Sequence, residues 1–499
     1  MGIWVFPLDG AAPRKLVDGA DAAALSPDDS QIAYFGGGDA IWLVSASGER
    51  ARRIVAAPPG YSLDVGFAWS PDGRRVAYGK RKPDDFSIES YHLDSGQTSV
   101  ILSDPRGASF CWLRNGRIVY ARHEEPPNET SDNLWDIRVD PRTARARGKP
   151  RRLSNWGGYL FDNLSTDAGG ARLSFGRRRF RSTVYVGELE AGGARLSTPR
   201  RLTFDEWMNW PTGWSHDSQS VLFTSDRGGR LDIFRQDVQA PAPLGIVTGG
   251  EERRDARFSP DGRWILYLSS SDTEGRRRAA EGRLMRIAPG GGAPQPVLLV
   301  AGYPARFPSR VGPEGAEPGT LALPGGLWWP TTMLDNPRFR CSSAPETLCV
   351  LSEEIQNQAI FTAFDPVEGR KGELARIGAP LPDSWDLSPN GQWIALSWKW
   401  GGSRIRLISL AGQPPRDISL DGWNNIECVA WAADGNALFA TSWASKDPPL
   451  LRISLNGEVK LLHKGLFHVE NPVPSPNGRY LAFGENTMES NVWVVQNPR

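Results

Sequence analysis

Residues Phe258 to Leu268 read Phe-Ser-Pro-Asp-Gly-Arg-Trp-Ile-Leu-Tyr-Leu. The stretch predicts a short buried strand, a four-residue reversal and a second strand running back. Pro260 pre-sets φ for the second position of a type I turn, and Gly262 supplies the left-handed residue that closes the hairpin. A single hairpin of this size cannot bury its own apolar face. What decides the fold is that the same sentence is repeated.

It recurs at Leu25–Tyr34, Trp69–Tyr78, Trp112–Tyr120, Leu164–Phe175, Trp214–Phe223, Leu387–Leu396, Trp431–Phe439 and Pro474–Phe483. A degenerate copy at Cys341–Val350 has Ser-Ser-Ala-Pro-Glu-Thr in place of the turn. Hairpins are therefore predicted near residues 25–35, 67–79, 110–121, 162–176, 212–224, 256–268, 339–351, 385–397, 428–440 and 473–484. The turn Asp or Asn residues fall mostly 43–52 residues apart. That is the period of one four-stranded propeller blade.

Two weaker strands follow each hairpin. The third is apolar with an aromatic, as in Ile41-Trp42-Leu43-Val44, Leu134-Trp135-Asp136-Ile137, Val184-Tyr185-Val186 and Val492-Trp493-Val494. The fourth is short and basic: Arg52-Arg53-Ile54, Arg151-Arg152-Leu153, Arg200-Arg201-Leu202. An outermost strand is a sheet edge, and arginine there discourages edge-to-edge pairing. The alternative use of these pairs, a stripe for phosphate or nucleic acid, is the weaker reading.

The expected fold is all-β, a β-propeller of about ten four-stranded blade modules spanning residues 1–499, as one large ring or two tandem rings. Ten blades exceed the usual four to eight. The Pro- and Gly-dense stretch 302–330 is an insertion or the boundary between two rings. Ile3–Leu8 and Arg14–Val17 look like third and fourth strands without a hairpin, while the last unit ends after its third strand. The simplest closure has the N-terminal pieces complete the final blade. The competing account is a piece of a longer protein with blades upstream.

Lys and Arg total 58 against 57 Asp and Glu, so a net charge of +1 gives no bulk field toward nucleic acid or membrane. No apolar run approaches the length of a membrane-spanning helix, and the N-terminus has no basic leader before an apolar core. The expected compartment is cytoplasmic for a complete chain, and extracytoplasmic for part of a membrane-anchored sensor.

The hairpins resemble TolB-like, WD-type propeller repeats, whose mark is the Ser-Pro-Asp-Gly turn before an apolar strand. Three stretches are more narrowly similar to the C-terminal propeller region of certain bacterial serine/threonine kinases and winged-helix regulators: Gly2–Gly10, Cys341–Glu354 and Thr487–Gln496. No kinase Gly-rich loop, His-Arg-Asp loop or basic recognition helix accompanies them. The resemblance implies a bacterial signalling sensor or scaffold and fixes no ligand.

Recognisable catalytic chemistry is sparse. Gly-x-Ser-x-Gly is absent. Ser215, His216 and Asp217 are neighbours in a turn, whereas a triad is assembled in space. The turn Asp residues differ from sialidase Asp boxes and are expected to bind local backbone N–H groups. His463 and His468 lack a metal-ligand pattern, so neither metal nor cofactor is expected. Cys341 and Cys349 flank the degenerate turn and could pair as a disulfide or remain buried thiols.

Propeller loops leading into each first strand, together with those joining second and third strands, gather on one face. They carry Trp156, Tyr159, Phe161, Trp207, Trp210, Trp385, Trp423 and Phe467, then Trp398, Trp400 and Trp443, with Arg177, Arg178 and Arg179. Aromatics and Arg are enriched at interface hot spots. These residues form a face for a protein, peptide or glycan, or they plug gaps between blades. The expected function is non-enzymatic: a sensor or interaction scaffold. The rival is an enzyme-associated propeller, either from a peptidase or with a hydrolase site in its central channel.

Overall fold

The computed structural model describes residues 2–6, 12–36, 40–82, 85–125, 131–140, 142–167, 170–270, 282–301, 338–343, 348–398, 402–443 and 447–496. All regular elements among them are strands, most of them in four-stranded antiparallel sheets. The 302–330 insertion lies outside the described residues.

The repeated turn explains itself in its hydrogen bonds. Ser259 Oγ donates to Asp261 Oδ1 at 2.6 Å and accepts the Trp264 amide at 3.0 Å, while Asp261 Oδ1 accepts the Arg263 amide at 3.1 Å. Gly262 sits at φ 70° and returns its N–H to Ser259 O at 2.9 Å. Ser26 and Asp28, Ser70 and Asp72, Ser388 and Asn390, and Ser475 and Asn477 repeat the Ser-to-side-chain bond at 2.6–2.7 Å. The small side chains thus satisfy the reversal's orphan amides locally, which frees the strands for pairing.

The chain divides into two compact units. In the first, blade 1 consists of Ala20–Leu25, Gln31–Gly36, Ala40–Ser45 and Arg52–Ala56, hydrogen-bonded in that order. Blade 2 consists of Ser62–Trp69, Arg75–Lys82, Asp85–His92 and Thr98–Ser103. Blade 3 consists of Gly107–Trp112, Arg117–His123, Asp132–Val139 and Ala146–Arg152. Blade 4 starts with Leu160–Thr166 and the first half of the long strand Arg172–Glu190.

The second unit is a ring of six. Blades 5 to 9 have first strands Asn209–Trp214, Glu252–Phe258, Arg338–Cys341, Ser384–Leu387 and Ile426–Trp431, each leading an antiparallel four-stranded sheet. Blade 10 starts with the hairpin of His468–Pro474 and Tyr480–Gln496. An apolar cluster fills each gap between neighbours. The one that shuts the ring joins Val184, Val186 and Leu202 with Val473 and Ala482 of blade 10 to Trp214, Val221 and Phe223 of blade 5. Across that seam the Trp214 indole donates to Val473 O at 2.8 Å.

Two expectations are corrected by the pairing. Blade 10 takes its third strand from residues 180–190 and its fourth from Arg200–Arg201, not from the N-terminus. Leu189 N donates to Arg479 O at 2.7 Å and Arg479 Nε reaches Glu188 Oε1 at 2.8 Å, while further along Arg177 lies 3.8 Å from the Trp493 ring, so the two long strands run antiparallel. Conversely, residues 489–496 lie beside residues 172–179, so the hairpin at 160–178 receives the chain's last strand as its third. Blades 4 and 10 have exchanged third strands. Among the described residues the N-terminal strands Gly2–Val5 and Arg14–Asp18 pair only with each other, and Ile3, Leu16 and Val17 pack on blade 1.

Candidate binding face

In the six-blade unit, the segment between residues 202 and 209 links blade 10 to blade 5 and carries Phe204, 70% exposed, and Trp207, 46% exposed. Asp205 holds this segment. Its Oδ1 accepts the Trp207 amide at 3.2 Å and Asn209 Nδ2 at 2.8 Å, and its Oδ2 accepts Arg227 Nη2 at 2.8 Å. Arg227 bonds Asn209 Oδ1 as well, at 3.0 Å. The next loop of this class, between blades 9 and 10, raises Leu466, 86% exposed. Glu485 accepts the Leu466 amide at 2.9 Å and faces His463 Nε2 at 3.3 Å. Three apolar side chains are thus held in solvent by polar braces on one face of the ring.

Beneath them lies a buried polar network. His468 Nε2 is 2.6 Å from Glu427 Oε2, and its Nδ1 is 2.9 Å from Asn486 Nδ2. Asn486 Nδ2 also donates to Glu470 Oε1 at 2.6 Å, and the Trp210 side chain donates to the same carboxylate. Burial pushes the Glu470 carboxyl above its ordinary range, partly offset by His468, Asn486 and Trp210. The Trp443 ring lies 4.8 Å from His468.

On the first strands of blades 6 to 8, Arg340 bridges two carboxylates, with Nη1 3.1 Å from Asp255 Oδ2 and Nε 3.0 Å from Asp386 Oδ1. Arg257 adds a second guanidinium 3.4 Å from Asp255. Burial raises both carboxyls. At Asp255 the charges of Arg340, Arg257 and Arg338 outweigh burial and leave the group lowered; at Asp386 burial outweighs Arg340, Arg257 and the Trp431 amide 2.7 Å away, and the group stays raised. Burial and the like charge of Arg340 bring the Arg257 guanidinium down to about 10. These acids are partners in a structural ion cluster.

The aromatics expected on one face divide by burial. Trp385 is 1% exposed, its indole bonded to Ser352 Oγ at 2.8 Å, and Trp210 is 4% exposed. Both are wedges between blades and cannot form a recognition surface. Trp423 packs partly against the blade 8–9 core, and Trp398 donates to Pro380 O at 2.9 Å. Trp400 lies outside the described residues. Arg178 is buried against Asp162 at 2.6 Å, which removes it from any surface. Trp156, Tyr159, Arg177 and Arg179 belong to the first unit. There Arg177 lies between the rings of Tyr159, 4.0 Å away, and Trp493, 3.8 Å away, while Arg179 is 5.5 Å from Tyr159. Trp207 remains the exposed anchor of the second unit among those expected.

Ser215 Oγ turns to Asp217, while His216 Nε2 faces Pro260 O at 3.1 Å in the next blade, so the three residues make no triad. Cys341 and Cys349 oppose each other in register with Cα atoms 4.0 Å apart and their sulfurs bonded. A cleft of about 330 Å³ lies between blades 6 and 7, but its Glu353 is already held by Arg370 and by the Ala301 amide at 2.7 Å. Among the described residues no group of three or more His, Cys, Asp or Glu could hold a metal ion, and no helix is long and apolar enough to cross a membrane. Reading the sequence alone missed Phe204, Leu466, Glu427, Glu470 and Asn486. No local motif marks them, because each acquires its setting from a strand or loop distant in sequence.

No family model matches the chain. The uncharacterized protein Atu1656 of Agrobacterium fabrum is 34% identical over 100 residues, which make up 20% of this chain and 30% of that protein. The matched part is therefore under a third of that relative's length. Among solved structures, a protein assigned as TolB from Agrobacterium tumefaciens aligns with TM-score 0.44 at 16% identity, over 62% of this chain and 99% of its own. A chain of the nidogen/laminin complex aligns with TM-score 0.39 at 13% identity, over 62% and 98%. The propeller domain of the Trilobed protease from Pyrococcus furiosus gives 0.27 at 15%, over 59% and 85%. All are likenesses of fold at most, and the β-propeller itself rests on this chain's own four-stranded sheets and the apolar clusters between them. The narrower resemblance to kinase and winged-helix regulator propellers rests on its three sequence stretches alone.

Proposed function

We propose that this β-propeller chain is a non-enzymatic binding module, a sensor or interaction scaffold that presents the loop face of its six-blade unit to a protein or peptide. The observation that supports it is the trio Phe204, Trp207 and Leu466. Large apolar side chains in solvent gain little for the free protein, yet here Asp205, Arg227, Asn209 and Glu485 brace the loops that display them. Pre-ordered apolar anchors lower the entropy lost on association. The acids of the ion cluster are engaged with arginine, which leaves them poor general bases.

A second reading, a hydrolase with its site in the ring's channel, draws on the His468–Glu427 pair, since a carboxylate-oriented imidazole is a familiar acid–base arrangement. Partner capture from solution by the full chain, compared with its Phe204→Ala, Trp207→Ala and Leu466→Ala variants, tests the first reading. Loss of capture at unchanged melting temperature supports it; capture that survives all three sinks it. A glycan partner would appear as the same loss with an oligosaccharide array. Turnover of a peptide or glycoside library that vanishes in His468→Gln would favour the hydrolase.

A further inference from the structure

Blade 4 of the first unit has a first strand, a second strand and the borrowed third strand, residues 489–496. Among the described residues no fourth strand pairs with its outer side. Val492 is 80% exposed, Trp493 40% and Val494 58%. Third-strand residues in blades 1 and 3, where a fourth strand is present, are covered: Ile41 is 0% exposed, Leu43 4% and Leu134 3%. A long apolar edge of this kind is a template for an added strand.

The molecule's own complete blades indicate what would fit there. In blade 1 the third-strand Trp42 is directly opposite Arg53, in blade 3 Trp135 is opposite Arg152, and in blade 10 Tyr185 is opposite Arg201. Each of these arginines is the second of an Arg-Arg pair, and a branched aliphatic follows: Ile54, Leu153, Leu202. The aliphatic amide of Leu153 donates to Leu134 O at 2.7 Å and that of Leu202 to Val184 O at 2.8 Å, in both cases the residue before the aromatic. Blade 4 reproduces the receiving half of this pattern. Trp493 follows Val492 as Trp135 follows Leu134, and a second-strand guanidinium already covers one ring face in each: Arg122 4.9 Å from Trp135, Arg177 3.8 Å from Trp493. The arginine across the strand is what blade 4 lacks.

We propose that the edge at Asn491–Val495 binds an extended Arg-Arg-aliphatic segment of a partner polypeptide as the missing fourth strand. The second arginine lies opposite Trp493, and the aliphatic residue donates its amide to the Val492 carbonyl. Main-chain bonds supply the attachment, and the arginine against the aromatic sets the register. This surface lies in the first unit, so it stands or falls independently of the loop face of the ring.

The test uses the full chain and a dye-labelled peptide with the sequence of residues 146–155, which contains Arg151-Arg152-Leu153. Fluorescence anisotropy at physiological salt should show saturable binding. Scrambling the peptide, or replacing its leucine with proline to delete the amide, should weaken binding about tenfold or more. Hydrogen exchange should slow at 491–495 when peptide is present. A Trp493→Ser variant with unchanged melting temperature should lose the peptide; if that variant does not fold, the peptide variants decide. Equal binding of the scrambled peptide would reduce the effect to bulk charge and overturn the proposal. So would outward amides at 491–495 already protected in the free chain, whether by its own residues or by a second copy.

Discussion

Replacing Arg340 with methionine keeps most of the side-chain stem and deletes the charge that Asp255 and Asp386 share. Both carboxylates are then left in the core of the ring, with Arg257 3.4 Å from Asp255 and the charge of Arg338 also acting on it. Removing one partner of a buried ion pair costs about 3–5 kcal/mol, because the uncompensated charge stays behind. At roughly 2 °C per kcal/mol for a unit of this size, the ring's melting transition should fall by about 6–10 °C. The pH dependence identifies the cause. In the intact protein Asp255 is held below its ordinary range, so its contribution is present above that range and is lost as pH falls through its folded value. Without Arg340 its folded value rises and the charged form becomes the unfavourable one. The deficit of Arg340→Met relative to the parent should be full at pH 7 and shrink as pH falls toward 4. Adding Asp255→Asn and Asp386→Asn should recover most of the loss at neutral pH. Urea unfolding followed by near-ultraviolet circular dichroism reads all three variants. A deficit under about 1 kcal/mol, or one that does not change between pH 7 and 4, would refute the argument.

Other outcomes follow from single contacts. Ser259→Ala removes the hydroxyl that closes the blade 6 turn and should cost about 1 kcal/mol in urea, with little effect on the other blades. Trp385→Ala opens a cavity between blades 7 and 8 and should cost about 3–5 kcal/mol, whereas Trp207→Ala should move stability by less than about 0.5 kcal/mol. Non-reducing peptide mapping should recover Cys341 joined to Cys349; two alkylatable thiols at those positions would reject the bond. Burial pushes the thiols of Cys111 and Cys428 up to about 12, so both should resist alkylation at pH 8 until the protein unfolds.

The hairpins were legible because their chemistry is local. Ser259, Pro260, Asp261 and Gly262 contain both the instruction to reverse and the groups that satisfy it. Strand partnership was not legible. Val184-Tyr185-Val186 and Val492-Trp493-Val494 are equally good third strands, and nothing in either says which hairpin it joins. The recognition surface was half visible for a similar reason. Trp207 and Trp385 both come just before or at the start of a first strand, yet one points to solvent and the other wedges between blades. The His468 environment was invisible, because Glu427, Glu470 and Asn486 reach it from three different strands.

The exchange of third strands constrains the order in which the molecule is made. Blades 1 to 3 are contiguous in the chain and can collapse while the rest is still emerging from the ribosome. The ring's seam cannot, since residues 180–202 must wait for a hairpin translated nearly three hundred positions later. During that interval a bare strand is available to the wrong neighbour, which makes closure a slow, non-local step and the half-built ring the species that chaperones would meet.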